Sequence, residues 1–183
     1  MNHFKKNTRL KKWNSRGQSL VELGIALPLF LGILFGIVEL SNMLMMSLRV
    51  SNLSREIANV TFRDCTFLND TAIASCLSSD VTRISNEGNR ILKNFNSLGI
   101  VIASTYAKNT PDSPFIRLVN QKTAGGGKYT SHYNVNNVDS AVINTHDRIV
   151  IGEVIYPYVP ITPVKGFLTL FNLRTVIYEV TIY

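Results

Sequence analysis

The feature that most limits what this chain can become is Leu23–Val38, Leu-Gly-Ile-Ala-Leu-Pro-Leu-Phe-Leu-Gly-Ile-Leu-Phe-Gly-Ile-Val, 16 consecutive residues without a charge. Continued past Glu39 through Leu40, Met43, Leu44, Met45 and Met46, the apolar segment exceeds 20 residues. About 20 are enough for a helix to cross a bilayer. Ahead of it, Lys5, Lys6, Arg9, Lys11, Lys12 and Arg16 stand in the first 17 positions with no acid among them. A basic flank of this kind is held in the cytoplasm. The pattern predicts one crossing at about residues 21–42, with the N-terminus cytoplasmic and the chain beyond about residue 47 in the periplasm. The other 13 basic residues nearly balance the 12 acidic ones, so the net charge of +7 belongs to the tail. The folded part therefore offers no nucleic-acid-binding face.

Two readings of the apolar segment stay open once a secretory signal peptide is set aside. That signal needs a small-x-small cleavage site after the apolar core, and Glu39-Leu-Ser-Asn-Met-Leu-Met-Met lacks one. The chain is either an uncleaved single-pass anchor of a periplasmic binding module, or it is cut ahead of the helix. The boundary reads Arg16-Gly17-Gln18-Ser19-Leu20-Val21-Glu22-Leu23. A carboxylate at the mouth of a membrane helix must stay at the interface, lose its charge or find a cation. Glu22 can serve as a cap at the positive end of the helix dipole. Cleavage after Gly17 would instead free the amine of Gln18, and that ammonium could pair with Glu22 of a neighbouring subunit.

Basic leader, Gly, four residues, Glu and an apolar helix together resemble the class III signal of type IV pilin-like proteins, which a prepilin peptidase cuts after the Gly. More narrowly, Arg16-Gly-Gln-Ser-Leu-Val-Glu-Leu-Gly-Ile-Ala-Leu-Pro-Leu-Phe followed by Leu34-Phe-Gly-Ile-Val-Glu-Leu is similar to the TadE family, pseudopilins of the tight-adherence (Tad, or Flp) pilus. TadF, a sister pseudopilin, begins similarly. Tyr156-Pro-Tyr-Val-Pro-Ile-Thr-Pro163 also resembles the Tyr/Pro-rich segment of such proteins. The major pilin of this system is a very short chain with Tyr after the Glu, whereas Leu23 and more than 100 residues beyond the helix stand here. The resemblance thus implies a minor subunit of an adhesive pilus, with Gly17 and Gln18 at the cleavage point and Glu22 in recognition and subunit pairing. It implies as partners the peptidase, other pilins and pseudopilins, and the inner-membrane platform with its ATPase. No cofactor is implied.

Beyond the membrane the apolar residues narrow to a stripe. Met43, Met46, Val50, Leu53, Ile57 and Val60 recur at spacings of three and four, a heptad-like seam. One helix over residues 18–62 is expected, packed along that seam on the chain's own domain. Gly32 and Gly36 fit the small-xxx-small spacing of close helix packing, and Pro28 should kink or loosen the helix. Glu39 is expected at the outer interface or against another assembly subunit.

Residues 63–183 should form an exported α+β domain. A second helix over Asn69–Leu98, with Gly88 as a weak point and Gly99 as its stop, precedes strands at Ile100–Tyr106, Phe115–Val119, Arg148–Tyr158 and Leu173–Tyr183. Helix before strands predicts a small antiparallel sheet against the long helix, the type IV pilin-like arrangement. Lys122–Asn137, rich in Gly and Asn, should be a mobile loop. Cys65 and Cys76 are 11 apart, and outside the inner membrane such a pair can oxidise and persist. A disulfide pinning the helix–helix corner is preferred over two buried free thiols, and a metal site is not expected, since no His lies near. Gly125-Gly126-Gly127-Lys128-Tyr129 lacks the hydroxyl residue of a phosphate loop. His146-Asp147 has no nucleophile elbow to serve. The expectation is a protein without catalytic residues.

Overall fold

The computed structural model describes residues 15–107, 117–136, 138, 148–161 and 176–183. Most of the basic leader, the first two residues of the predicted strand at Phe115, the first three of that at Leu173, Asn137, His146 and Pro163 lie outside the described residues. The elements are α1 (Ser15–Cys65), α2 (Asp70–Ile91), α3 (Phe95–Leu98), β1 (Ile100–Ala107), β2 (Arg117–Ala124), β3 (Arg148–Pro157) and β4 (Val176–Ile182). The strands form one antiparallel sheet in the order β2-β1-β3-β4. The α+β expectation, a long helix on a small antiparallel sheet, is met.

At 51 residues α1 spans about 75 Å at 1.5 Å per residue. It starts before Gly17 and continues through Pro28 without interruption. Its second half carries the seam. Val50, Leu53, Ile57 and Val60 are buried, and Met43 and Met46 pack at the edge of the same cluster. Their partners include Val101 and Ala103 of β1, Val154 and Tyr156 of β3, and Leu77 and Ile84 of α2. The seam is therefore an intramolecular core.

α1 and β3 lie antiparallel, as three contacts along their length show. Arg148 at the start of β3 donates from Nη1 to the carbonyls of Thr66 and Leu68. At mid-strand Ser54 Oγ donates to Gly152 O at 2.9 Å. At the far end the Tyr158 hydroxyl donates to Glu39 Oε1 at 2.5 Å. The close approach at mid-strand depends on Gly152. A Cβ there would sit 2.7 Å from Ile57 Cγ2 and 2.8 Å from both Ala58 N and Ser54 O.

The second helix is shorter than its sequence pattern suggests. α2 is capped by Asn69, whose side chain accepts from Ala72 N, and ends at Ile91. The chain then turns through Asn94 in the left-handed region (φ 57°) before the single turn of α3. Phe95 causes the break. Its buried ring is wedged between Gly88 and Gly99, where an added Cβ would meet it at 2.8 and 2.3 Å. Apolar spacing continues across this point in the sequence, but the ring packs only if the helix bends. Gly99 still ends the helical region, its N–H bonded to Phe95 O at 2.7 Å.

Of Lys122–Asn137, the first three residues differ from the loop expectation, while residues 125–136 carry no helix or strand. Lys122–Ala124 extend β2, and the glycines beyond pack on α3. Gly125 takes a φ of 114°, and an added Cβ would lie 2.3 Å from Gly99 O. Gly127 N donates to that same oxygen at 3.2 Å. The glycines serve close backbone approach. Residues 129–136 and Val138 then cover the sheet face opposite α1, with Tyr129, Tyr133, Val135 and Val138 against Ile100, Ile102, Ile149, Ile151 and Ile155. The two central strands, β1 and β3, are thus buried on both faces.

Candidate assembly site on the first helix

Among the described residues, the apolar side chains of α1 from Leu20 to Val38 are largely exposed. Leu20, Ile25, Leu29, Phe30, Ile33 and Ile37 are all more than half exposed. Burying such a side chain is worth about 1.5–3 kcal/mol, so a rod presenting this many cannot rest in water. By length and composition alone, Ser19–Cys65 contains a segment apolar enough to cross a membrane. Gly32 and Gly36 lie in this half. Among the described residues, nothing outside the helix comes within 4 Å of a Cβ built on either, so their small-residue face is open.

Gly17 and Glu22 sit on the first turns of the same helix, both exposed. Positions 18 and 22 are four apart and share a helix face. A new amine at residue 18 would therefore emerge beside the carboxylate on the helix surface.

Glu39 has a partner inside its own chain. It is 4% exposed, covered by the chain's own C-terminal half, and its Oε1 accepts from Tyr158. Two tyrosines of the Tyr/Pro-rich segment thereby secure the base of the domain. Tyr158 binds α1, and Tyr156 donates to Lys93 O at 2.8 Å while its ring lies 6.1 Å from that of Phe95. Arg49 completes the join, donating from Nη1 to Ile91 O at 2.9 Å. No local pattern signals the Glu39–Tyr158 pair, whose members are 119 residues apart.

At the opposite end the structure joins Cys65 to Cys76, with Cα atoms 5.7 Å apart, pinning the end of α1 to α2. Asp80 Oδ2 approaches Cys65 Sγ at 3.3 Å. Cys65, Cys76 and Asp80 bring three ligand-type atoms together, but sulfurs bonded to each other are not thiolates and cannot take a metal in that state. Burial raises the Asp80 pKa, partly offset by Arg83 at 3.9 Å.

A further polar group is absent from the sequence expectations. Glu153 is fully buried in the middle of β3. It accepts from Ser131 Oγ, from His132 N at 3.0 Å and from the Tyr178 hydroxyl at 2.7 Å. Burial, then the bond to Glu153, drives the Tyr178 phenol pKa upward. Burial and the same carboxylate push nearby Tyr106 up to about 12. Glu153 ties residues 131 and 132 to the sheet. The available signal is a lone acid inside the apolar strand Ile-Val-Ile-Gly-Glu-Val-Ile-Tyr.

Residues 17–59 match the family model TadE, described as TadE-like protein. No curated protein and no solved structure matches the chain. The match begins at Gly17 and ends within the buried half of α1, so the resemblance read from the boundary residues holds over this helix. The Tyr/Pro-rich segment lies outside the match.

Proposed function

We propose that this protein is a pseudopilin, a minor pilin-like subunit in assembly of a Tad pilus, matured by prepilin peptidase cleavage between Gly17 and Gln18. The observation that carries the proposal is the position of the TadE-like match: it starts at Gly17 and covers the exposed apolar rod together with the seam by which that rod enters the folded domain. Before assembly the rod lies in the inner membrane, N-terminus in the cytoplasm and folded domain in the periplasm. After cleavage the Gln18 ammonium pairs with Glu22 of a neighbouring pilin-like subunit, which offsets the desolvation of both charges as helices bundle. Gly32 and Gly36 allow close approach in that bundle. The peptidase, other pilins and pseudopilins, and the membrane platform with its ATPase are its partners, and the subunit itself catalyses no reaction.

N-terminal sequencing of the protein from host cells with and without the peptidase tests this. Mature protein beginning at Gln18 only where the peptidase is present is the expected result. An intact leader in both strains supports the uncleaved anchor instead. Glu22→Ala separates the second role: pili assembled at the normal level by that variant would rule out the pairing even where cleavage proceeds.

A further inference from the structure

The exposed apolar surface of α1 does not stop at Glu39. Leu40, Leu44, Met45 and Leu48 are each at least half exposed, and the first charge after Glu39 is Arg49. From Glu22 to Glu39 the helix rises about 26 Å, short of the roughly 30 Å hydrocarbon layer. From Glu22 to Arg49 it rises about 40 Å, the thickness of a bilayer with its headgroups. Glu39 needs no water to define the outer boundary, because Tyr158 and the surrounding chain cover it.

The same hydrogen bond fixes the depth of another segment. Tyr158 holds Val159, Pro160 and Ile161 beside this stretch of α1, with Val159 49% and Ile161 67% exposed. Between them and α1 lies a cleft of about 260 Å³ whose lining includes Met46, Lys93, Tyr158 and Ile161. Lys93 and Arg49 place two cations at this end of the domain. Neither of the carboxylates Glu39 and Glu179, which accept from the hydroxyls of Tyr158 and Ser47, lines the cleft. Apolar side chains below a pair of cations match the outer face of a phospholipid bilayer.

We infer that the base of the exported domain is a phospholipid-binding surface: Val159 and Ile161 enter the outer leaflet beside Leu44, Met45 and Leu48, and the cleft under Lys93 takes a lipid headgroup phosphate. The inference rests on α1 spanning the membrane. It makes the domain a seated collar on its own anchor, held at fixed height until the helix leaves the bilayer.

The test uses the full chain in vesicles of phosphatidylethanolamine and phosphatidylglycerol brominated on the upper acyl chain, with Trp13→Phe as background. Single reporters are Phe30→Trp in the span, Ile161→Trp at the base and Phe67→Trp just past the far end of α1. The first two should lose most of their emission to the bromines and the third should keep it. Quenching of Phe30→Trp without Ile161→Trp overturns the seated base and leaves the span intact. No quenching of Phe30→Trp overturns the span and the inference with it. For the headgroup, native mass spectrometry of the detergent-purified chain should show retained phosphatidylglycerol, most of it lost in Lys93→Glu and not displaced by inorganic phosphate. Retention unchanged in Lys93→Glu, or displacement by phosphate alone, overturns the lipid site.

Discussion

Gly152 is the residue on which the helix–sheet contact turns. Its missing side chain lets α1 approach β3 closely enough for Ser54 to bond its carbonyl. Backbone atoms of Ser54 and Ala58 occupy the space a methyl would need, and they cannot rotate away. Gly152→Ala should therefore lower stability by about 1–3 kcal/mol, read as a lower midpoint in denaturant with the slope unchanged. Asp80 makes an opposite prediction. Burial raises its pKa, so the folded state holds the proton more tightly than the unfolded chain. The stabilisation from that proton is complete below the ordinary value of 3.8 and is lost as pH rises through the raised value. At neutral pH the ionised carboxylate is a cost, only partly offset by Arg83. Asp80→Asn should melt higher than the parent at pH 7, and the difference should close in acid. An equal difference at both pH values would show that the carboxylate acts through packing alone.

At the scale of elements, periodicity carries most of what the sequence reveals. The apolar run, the three-and-four seam and the Val/Ile/Tyr-rich segments each reflect a local rule, and α1 and parts of all four strands appear where those rules put them. What stays hidden is long-range. Phe95 breaks the second helix by fitting a notch between Gly88 and Gly99, and residues 125–127 are held by the backbone of α3. Neither shows in a local pattern. Likewise, Glu39 reads as an interfacial acid because Tyr158, which covers it, is remote in sequence. For the site, Gly17, Glu22 and the apolar rod are legible because each carries its own chemistry; Tyr158 and Glu153 are not. The Cys65–Cys76 link joins two elements across a short loop. Cross-linking a loop of this size removes about 3 kcal/mol of unfolded-state entropy. The double variant Cys65→Ser, Cys76→Ser should lose stability on that order, and reductant should reproduce the loss in the parent chain. Reductant should leave the double variant's melting unchanged.

On the scale of the molecule, α1 has two unlike halves. Its first half is exposed and apolar, and its second half supplies Val50, Leu53, Ile57 and Val60 to the core. Four such side chains contribute about 6–12 kcal/mol of burial, comparable with the net stability of a whole domain, about 5–15 kcal/mol. The domain boundary therefore cannot fall where the membrane segment ends and the sheet domain begins in sequence. It falls inside a continuous helix. A chain beginning at Asn42 should fold without detergent, with a cooperative thermal transition, since it keeps the seam and sheds most of the exposed apolar rod. A chain beginning at Phe67 keeps every strand but loses the covering of one sheet face together with Cys65, and should show no cooperative transition. If the shorter chain melts cooperatively, the seam is dispensable and the lower half of α1 is free to act between subunits. If the longer one fails to fold, the Glu39–Tyr158 bond is more than a fixture of the base, and the domain requires its anchor to form.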